Sequence, residues 1–370
     1  MKISFVLPPD NLSGGMRVIA TYAQKLKERG HSVFIAMPPR GPESLRQRIK
    51  SFLTGKFWQK APFRQSFFDG LDAPRKVLEK YRRVKDKDLP DADVVIATWW
   101  ETAEWVAGLS KSKGAKVYFI QHHEPHDYCP KDRVMATYLL PLHKITISKW
   151  LVDLMKTRYG DANVSLIFNS VDTKQFYAPP RAKQKTPTVG MMYSSIAWKG
   201  CDISLKAFSL AAQKIPNLRL FAFGNEAPSH DLSLPAGTHY FQQPAQKTIK
   251  NIYTQCDAWL FTSRNEGFGL PILEAMACRT PVIGTPAGAA PELLVSGGGI
   301  LVKPEDPEDL ARAIIRVCQE PEEEWKKMSE AAYKQATSYT WDDATVFFEQ
   351  ALEEIFSKRC LLENSKQKIL

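Results

Sequence analysis

Along this chain, short runs of β-branched and aromatic residues alternate with stretches in which apolar side chains return every three or four positions. The runs at residues 3–7, 33–36, 94–97, 117–120, 145–147 and 165–168 predict strands. Most are apolar throughout, which suits strands covered on both faces in a mostly parallel sheet. Between the first two, Val18, Ile19, Tyr22, Ala23 and Leu26 form one helical stripe, and Gly30 suits the residue just past a helix end. The pattern then restarts. Residues 188–192, 218–223, 258–261 and 281–284 predict further strands, and Leu205, Phe208, Ala212 and Ile215 mark a helix. Asp306 and Pro307 read as the N-cap and first residue of another helix. A proline-rich, basic stretch at 177–185 separates the halves as a linker. The reading is α/β, with two doubly wound domains. Near the end, Thr340 and Asp343 form a capping box, and Trp341, Thr345, Phe348, Leu352 and Ile355 trace a stripe that can close the second domain. The tail after Ser357 is polar and expected to fray.

Composition narrows the class. At 370 residues, 44% hydrophobic and 24% charged, the chain reads as globular, with two domains favoured over one. No run approaches the roughly 18–20 apolar residues that span a bilayer. Residues 1–7 resemble the start of a signal sequence, but Pro8 and Pro9 end the run early, and it reads as a buried strand. Six cysteines (129, 201, 256, 278, 318, 360) are scattered without a CxxC pair, which argues for reduced thiols in a cytosol and against a zinc site. The net charge of +10 gathers between Arg40 and Lys87, where fourteen Lys and Arg face five Asp and Glu. Phe52, Phe57, Trp58, Phe63, Phe67 and Phe68 are interleaved there. This segment reads either as a surface for anionic lipid or an acidic acceptor, or as a solvated helical insertion with its aromatics in the core. Nucleic acid is disfavoured, because no nucleic-acid motif accompanies the charge.

The densest chemistry lies in residues 263–277. Glu266 and Glu274 are separated by seven residues, with the turn Gly267-Phe268-Gly269-Leu270 between them and Pro271 expected to open a helix. A glycine turn delivered to a helix N-terminus favours a phosphate, and two flanking carboxylates favour sugar hydroxyls. Other candidates also follow predicted strands. Gly14 and Gly15 come after the first strand, without the GxGxxG spacing of nicotinamide-binding folds. His122 and His123 follow the strand at 117–120; either can bond a sugar hydroxyl, and metal is disfavoured for want of further ligands. Ser194 and Lys199 follow the first strand of the second half, where the lysine can neutralise a pyrophosphate. Loops at strand ends of open α/β sheets are where ligands bind.

With these motifs in view, the chain resembles the retaining GT-B glycosyltransferases of family 4, also called group 1. The resemblance runs almost end to end. It includes Gly14-Gly15, residues 26–33, Ser148 with Lys149, residues 169–172 with Phe176, Lys199-Gly200, the Glu266–Glu274 motif, residues 280–283 and residues 287–292. It implies two Rossmann-like domains facing across a cleft. Residues 1–178 would form the acceptor side, 179–339 would bind the donor, and a helix at about 340–357 would fold back onto the first domain. By position, Glu274 would bind the donor ribose and Glu266 would lie near the donor sugar. The amides of Gly267, Phe268, Gly269 and Leu270 would hold sugar and phosphate. Lys199 would stabilise the diphosphate, Gly14 and Gly15 would approach the phosphates, and His122 or His123 the sugar. Relatives often carry an arginine a few residues before the lysine. Here Tyr193, Ser194 and Ser195 stand in that region, and Arg264 is a candidate replacement. Arg279 stands where relatives often have glycine, and is given a structural meaning.

The implied reaction moves a hexosyl group from a nucleoside-diphosphate sugar to a hydroxyl of a glycan or glycolipid, with retention and without metal or other cofactor. The implied location is cytoplasmic, with peripheral contact to anionic membrane as one reading of the basic segment. The alternatives are a non-transferring sugar-nucleotide enzyme of epimerase or phosphorylase type and a silent nucleotide-sugar-binding protein. A dehydrogenase fits least.

Overall fold

The computed structural model describes residues 1–40 and 66–367. Most of the basic, aromatic segment therefore lies outside the described residues. The chain divides into two compact units: Met1–Ile147, Leu151–Ile167 and Thr345–Leu370 form the first, and Ser148–Trp150 with Phe168–Ala344 form the second.

The first unit is built on strands β1 (Lys2–Val6), β2 (Ser32–Met37), β3 (Arg75–Val77), β4 (Val94–Ala97), β5 (Ala115–Ile120), β6 (His143–Thr146) and β7 (Val164–Leu166). They lie in the order β3-β2-β1-β4-β5-β6-β7, every pairing parallel. The central strands are the apolar runs of the sequence, and β4 is buried throughout. Helix α1 (Gly14–Glu28) buries its predicted stripe and is capped at Arg29, with Gly30 next at a φ of +89°. Among the described residues, helices α2 (Trp100–Ala107), α3 (Lys131–Thr137) and α4 (Lys149–Tyr159) belong with these strands, the first two residues of α4 being counted with the second unit.

The second unit carries β8 (Thr188–Met192), β9 (Arg219–Gly224), β10 (His239–Gln242), β11 (Ala258–Phe261), β12 (Val282–Gly284) and β13 (Gly299–Leu301), all parallel, in the order β10-β9-β8-β11-β12-β13. Its helices are α5 (Cys201–Ala212), α6 (Ile249–Tyr253), α7 (Leu270–Ala277), α8 (Ala290–Leu294), α9 (Pro307–Gln319) and α10 (Glu322–Thr337). Asp306 caps α9 as its sequence predicts, accepting from the Asp309 amide at 2.8 Å.

Helix α11 (Trp341–Gln367) starts in the second unit and continues in the first. Thr340 and Asp343 form the expected capping box, the Asp343 amide donating to Thr340 Oγ1 at 3.1 Å and the Thr340 amide to Asp343 Oδ2 at 2.8 Å. Beyond Ala344 the apolar stripe is absorbed by the first unit rather than closing the second. Phe348 is fully buried; it stacks on Tyr22 with centroids 4.4 Å apart and meets the edge of Phe119 at 5.3 Å. Glu349 adds polar ties to Arg29 and, at 2.6 Å, to His31 Nε2.

Candidate functional site

Each sheet reverses its winding once, between β1 and β4 in the first unit and between β8 and β11 in the second. Loops leaving the strand ends diverge at such a point and open a crevice for ligands. In the second unit the diverging segments are residues 193–200 and 262–269.

Gly200 brings these two segments together. Its φ is +64°, and a Cβ there would lie 1.9 Å from the Thr262 carbonyl oxygen. The near contact is sealed by Thr262 Oγ1 donating to the Gly200 carbonyl at 2.8 Å and by the Arg264 amide donating to the Trp198 carbonyl at 2.7 Å. The crossing delivers Lys199 Nζ to 2.5 Å from Glu266 Oε1, which also accepts from Ser263 Oγ at 2.9 Å. The two charged side chains are only 22% and 13% exposed. An ammonium has three donors, so the pair leaves Lys199 with capacity for a second anion.

The turn that follows Glu266 is held from two sides. The Gly267 carbonyl accepts from Ser148 Oγ at 2.8 Å and from Trp150 Nε1 at 3.0 Å. The Phe268 carbonyl accepts from the Ala289 amide at 2.8 Å, and a Cβ on Gly288 (φ +62°) would lie 2.5 Å from that carbonyl oxygen. Among the described residues, no acceptor meets the amides of Gly267, Phe268 or Gly269. Gly269, at φ +98°, is the N-cap of α7. The helix begins at Leu270 with Pro271 second, one position earlier than the proline alone suggests. Its dipole adds positive potential at the same place. Glu274, one turn inside, is 6% exposed and accepts from Tyr253 OH at 2.9 Å. An ammonium, a run of open amides and a helix start thus sit beside two carboxylates. The first set suits a dianionic group and the second suits hydroxyls.

Two further donor-site candidates are hydrogen-bonded within the protein. Arg264 is consumed by the fold. Its guanidinium makes five hydrogen bonds, bridging Asp202, Glu305 and the Ala197 carbonyl. Five donors are all that a guanidinium has, so in this arrangement none is left over for a further anion. Ser194 Oγ accepts from the Ile196 amide at 3.2 Å and shapes its own loop.

In the first unit, Gly14 and Gly15 form the opening turn of α1, with Ser13 as N-cap. The Gly15 carbonyl accepts from Gln121 Nε2 at 3.2 Å, tying this turn to the end of β5. His122 Nδ1 lies 2.7 Å from the His123 carbonyl. A carbonyl only accepts, so that nitrogen carries the hydrogen and, in the neutral ring, Nε2 holds the lone pair. His123 Nε2 pairs with Tyr159 OH at 2.8 Å, and its ring packs beside Tyr138. Burial, then the nearby Arg158, pushes its pKa down to about 4. His126, whose ring lies 5.0 Å from that of His122, is also held near 4, mainly by burial. Glu124 is buried and accepts from the Trp100 amide at 2.9 Å and Tyr118 OH at 3.2 Å. Burial pushes its carboxyl up to about 8, against the pull of those two bonds.

Sequence reasoning did not single out Trp150 or Tyr253, and it met Ser148, Ser263 and Glu124 only as parts of longer motifs, without a site-shaping role. Among the described residues, no group of three His, Cys, Asp or Glu side chains is placed to hold a metal ion. No described helix is long and apolar enough to cross a membrane.

The family model described as glycosyl transferases group 1 matches residues 173–335, and that described as Glycosyltransferase Family 4 matches residues 12–175. A D-inositol 3-phosphate glycosyltransferase from Saccharomonospora viridis is 32% identical over 164 residues, 40% of this chain and 38% of that protein. A second D-inositol 3-phosphate glycosyltransferase, from Corynebacterium jeikeium, is 27% identical over 187 residues, 46% of this chain and 44% of that protein. The chain therefore spans less than half of the length of these curated relatives. Among solved structures, Anabaena HepE in complex with UDP and glucose superposes with a TM-score of 0.70 at 19% identity, covering 96% of this chain and all of that one. Sucrose-phosphate synthase from Thermosynechococcus elongatus gives 0.71 at 15% identity, covering 97% of this chain and all of that one. These likenesses show the GT-B fold.

Proposed function

We propose that the chain, which the group 1 model matches over residues 173–335 and the Family 4 model over residues 12–175, is a glycosyltransferase of this group that moves a hexosyl group from a nucleoside-diphosphate sugar to a hydroxyl of a glycan or glycolipid, with retention of configuration. The observation that carries this reading is the Lys199–Glu266 pair beside the open amides at the start of α7. The diphosphate would lie on the Gly267–Leu270 amides and the two remaining Lys199 donors. Glu274 would take the ribose hydroxyls, and Glu266 Oε2 a hydroxyl of the sugar. In the first unit, Gly14 and Gly15 would add backbone near the phosphates, and His122 would approach the sugar rather than His123, which is engaged with Tyr159.

No carboxylate is assigned as nucleophile. As the bond from the anomeric carbon to the diphosphate oxygen breaks, fixed amides and the ammonium receive the developing charge. The acceptor oxygen bonds to that carbon from the same face, and its proton passes to the departing phosphate oxygen. The ammonium and amides supply the positive charge of this step, so turnover is expected to persist in chelator. The basic segment between Arg40 and Lys87 would bring the protein to an anionic membrane, a reading tested by salt-sensitive flotation with anionic liposomes.

A thermal-shift screen over UDP, GDP, ADP and dTDP sugars tests the donor site, since a ligand that binds the folded state raises its stability. One base is expected to stabilise the protein selectively. Glu274→Ala should lose most of that shift, and Lys199→Ala should lower turnover about 100-fold, the scale of losing one charge-stabilising donor. Product anomers read by NMR test retention. No stabilisation by any of the four donors, or unchanged turnover in both variants, overturns the proposal.

A further inference from the structure

Two donors converge on one backbone acceptor in the second unit. Ser148 Oγ and Trp150 Nε1 both donate to the Gly267 carbonyl, at 2.8 and 3.0 Å. Both residues are counted with this unit although segments of the first unit flank them on either side in sequence. Ser148 is fully buried, and its hydroxyl spends its only hydrogen on this bond.

The consequence lies on the other side of the same peptide. In a trans peptide the carbonyl and the following N–H point in opposite directions, and no described peptide is cis. Fixing the Gly267 carbonyl therefore fixes the direction of the Phe268 N–H. The next peptide is fixed in the same way, because the Phe268 carbonyl is held by the Ala289 amide. The Phe268 ring, 3% exposed, anchors the residue between them. The Phe268 and Gly269 amides, which meet no acceptor among the described residues, are thus aimed before any ligand arrives. Hydrogen bonds accepted by a carbonyl also polarise its peptide, which strengthens the N–H as a donor.

We propose that Ser148 and Trp150 are positioning residues for the donor turn: by holding the Gly267 carbonyl they aim the Phe268 amide at the diphosphate of the nucleotide. The inference rests on the donor-site reading given above. Neither residue need touch substrate. Their effect should fall on the phosphate part of the ligand and spare the nucleoside part, which is read at Glu274.

The full chain and three variants, Ser148→Ala, Trp150→Phe and the double variant, test this by calorimetric titration with UDP, GDP and ADP and with uridine, guanosine and adenosine. Trp150→Phe keeps most of the ring and removes only the indole N–H. For the base the unaltered protein prefers, the double variant should lose about tenfold in diphosphate affinity, the scale of one hydrogen bond net of solvent. Its nucleoside affinity should be unchanged, and each single variant should show part of the loss. A role confined to packing would lower both affinities together or neither. An unchanged ratio of diphosphate to nucleoside affinity in all three variants overturns the inference and leaves the donor site intact. An unaltered protein that does not prefer diphosphate over nucleoside removes the donor-site reading itself, and this inference with it.

Discussion

Gly200→Ala is the substitution that probes the site hardest with the fewest atoms. The added Cβ would start 1.9 Å from the Thr262 carbonyl oxygen, and real Cβ contacts essentially never fall below 3.0 Å. The two segments must therefore part by at least about 1.1 Å, the difference between those distances. Neither neighbour is a flexible side-chain tip, so the backbone has to move. Alanine in the left-handed region costs about 1 kcal/mol by itself. Parting the segments also strains the Thr262–Gly200 and Arg264–Trp198 hydrogen bonds, worth about 1 kcal/mol each. The sum is roughly 3 kcal/mol, or roughly 6–12 °C in melting temperature for a unit of this size. The same displacement carries Lys199 away from Glu266. Misplacement of a catalytic group by about 1 Å costs on the order of 100-fold in rate. Gly237→Ala is the matched control: φ there is +79°, but nothing lies within 4 Å of the added Cβ. It should lose only about 1 kcal/mol and no turnover. Differential scanning calorimetry and single-turnover sugar transfer would read both quantities. If the two variants melted alike and transferred alike, close approach at Gly200 would not be what places Lys199.

Two further predictions concern the first unit. Glu124 has a folded pKa of about 8 against an ordinary value of 4.5, so the folded state holds a proton that the unfolded chain releases, and stability falls as pH rises through that window. His123 and His126, held near 4 when folded, act oppositely but only below about 6.5. Between about pH 6.5 and 8 the decline due to Glu124 should stand alone, and Glu124→Gln should flatten it in thermal melts; an unchanged slope would refute the assignment. Phe348→Ala removes a fully buried ring stacked on Tyr22 and should cost about 3–5 kcal/mol. Hydrogen exchange should show the loss in α1 and β5, and protection spread evenly over both units would count against the docking.

The sequence made the centre of each sheet readable and its margins obscure. Strands β1, β4, β8 and β11 are apolar runs because both faces are covered, and a run of that kind is visible without knowing its neighbours. The edge strands β3, β10 and β13 went unread. Arg75-Lys76-Val77 and His239–Gln242 are largely exposed, and their pairing is set by the strand beside them rather than by their own pattern. Local signals behaved likewise: the caps at Asp306 and Thr340 depend on residues three positions apart and were legible. The site divides along the same line. Glu266, Glu274 and the turn between them form one short segment and could be singled out directly. Arg264 looked equally suitable for an anion. Its commitment to Asp202 and Glu305 depends on positions 62 and 41 residues away, which no local pattern reveals. The role of Ser148 and Trp150 stayed hidden for the same reason: their partner is a carbonyl more than a hundred residues downstream.

The return of the final helix to the first unit has a consequence for synthesis on the ribosome. Tyr22 and Phe119 emerge early, but the ring that covers them lies 229 residues beyond Phe119. At about 5–20 residues per second, the nascent amino-terminal half waits roughly 10–50 s with that apolar patch uncovered. Chaperone demand should therefore peak while the other half is being translated, and nonsense codons or fusion tags near the carboxyl end should impair a body of structure encoded at the opposite end of the message.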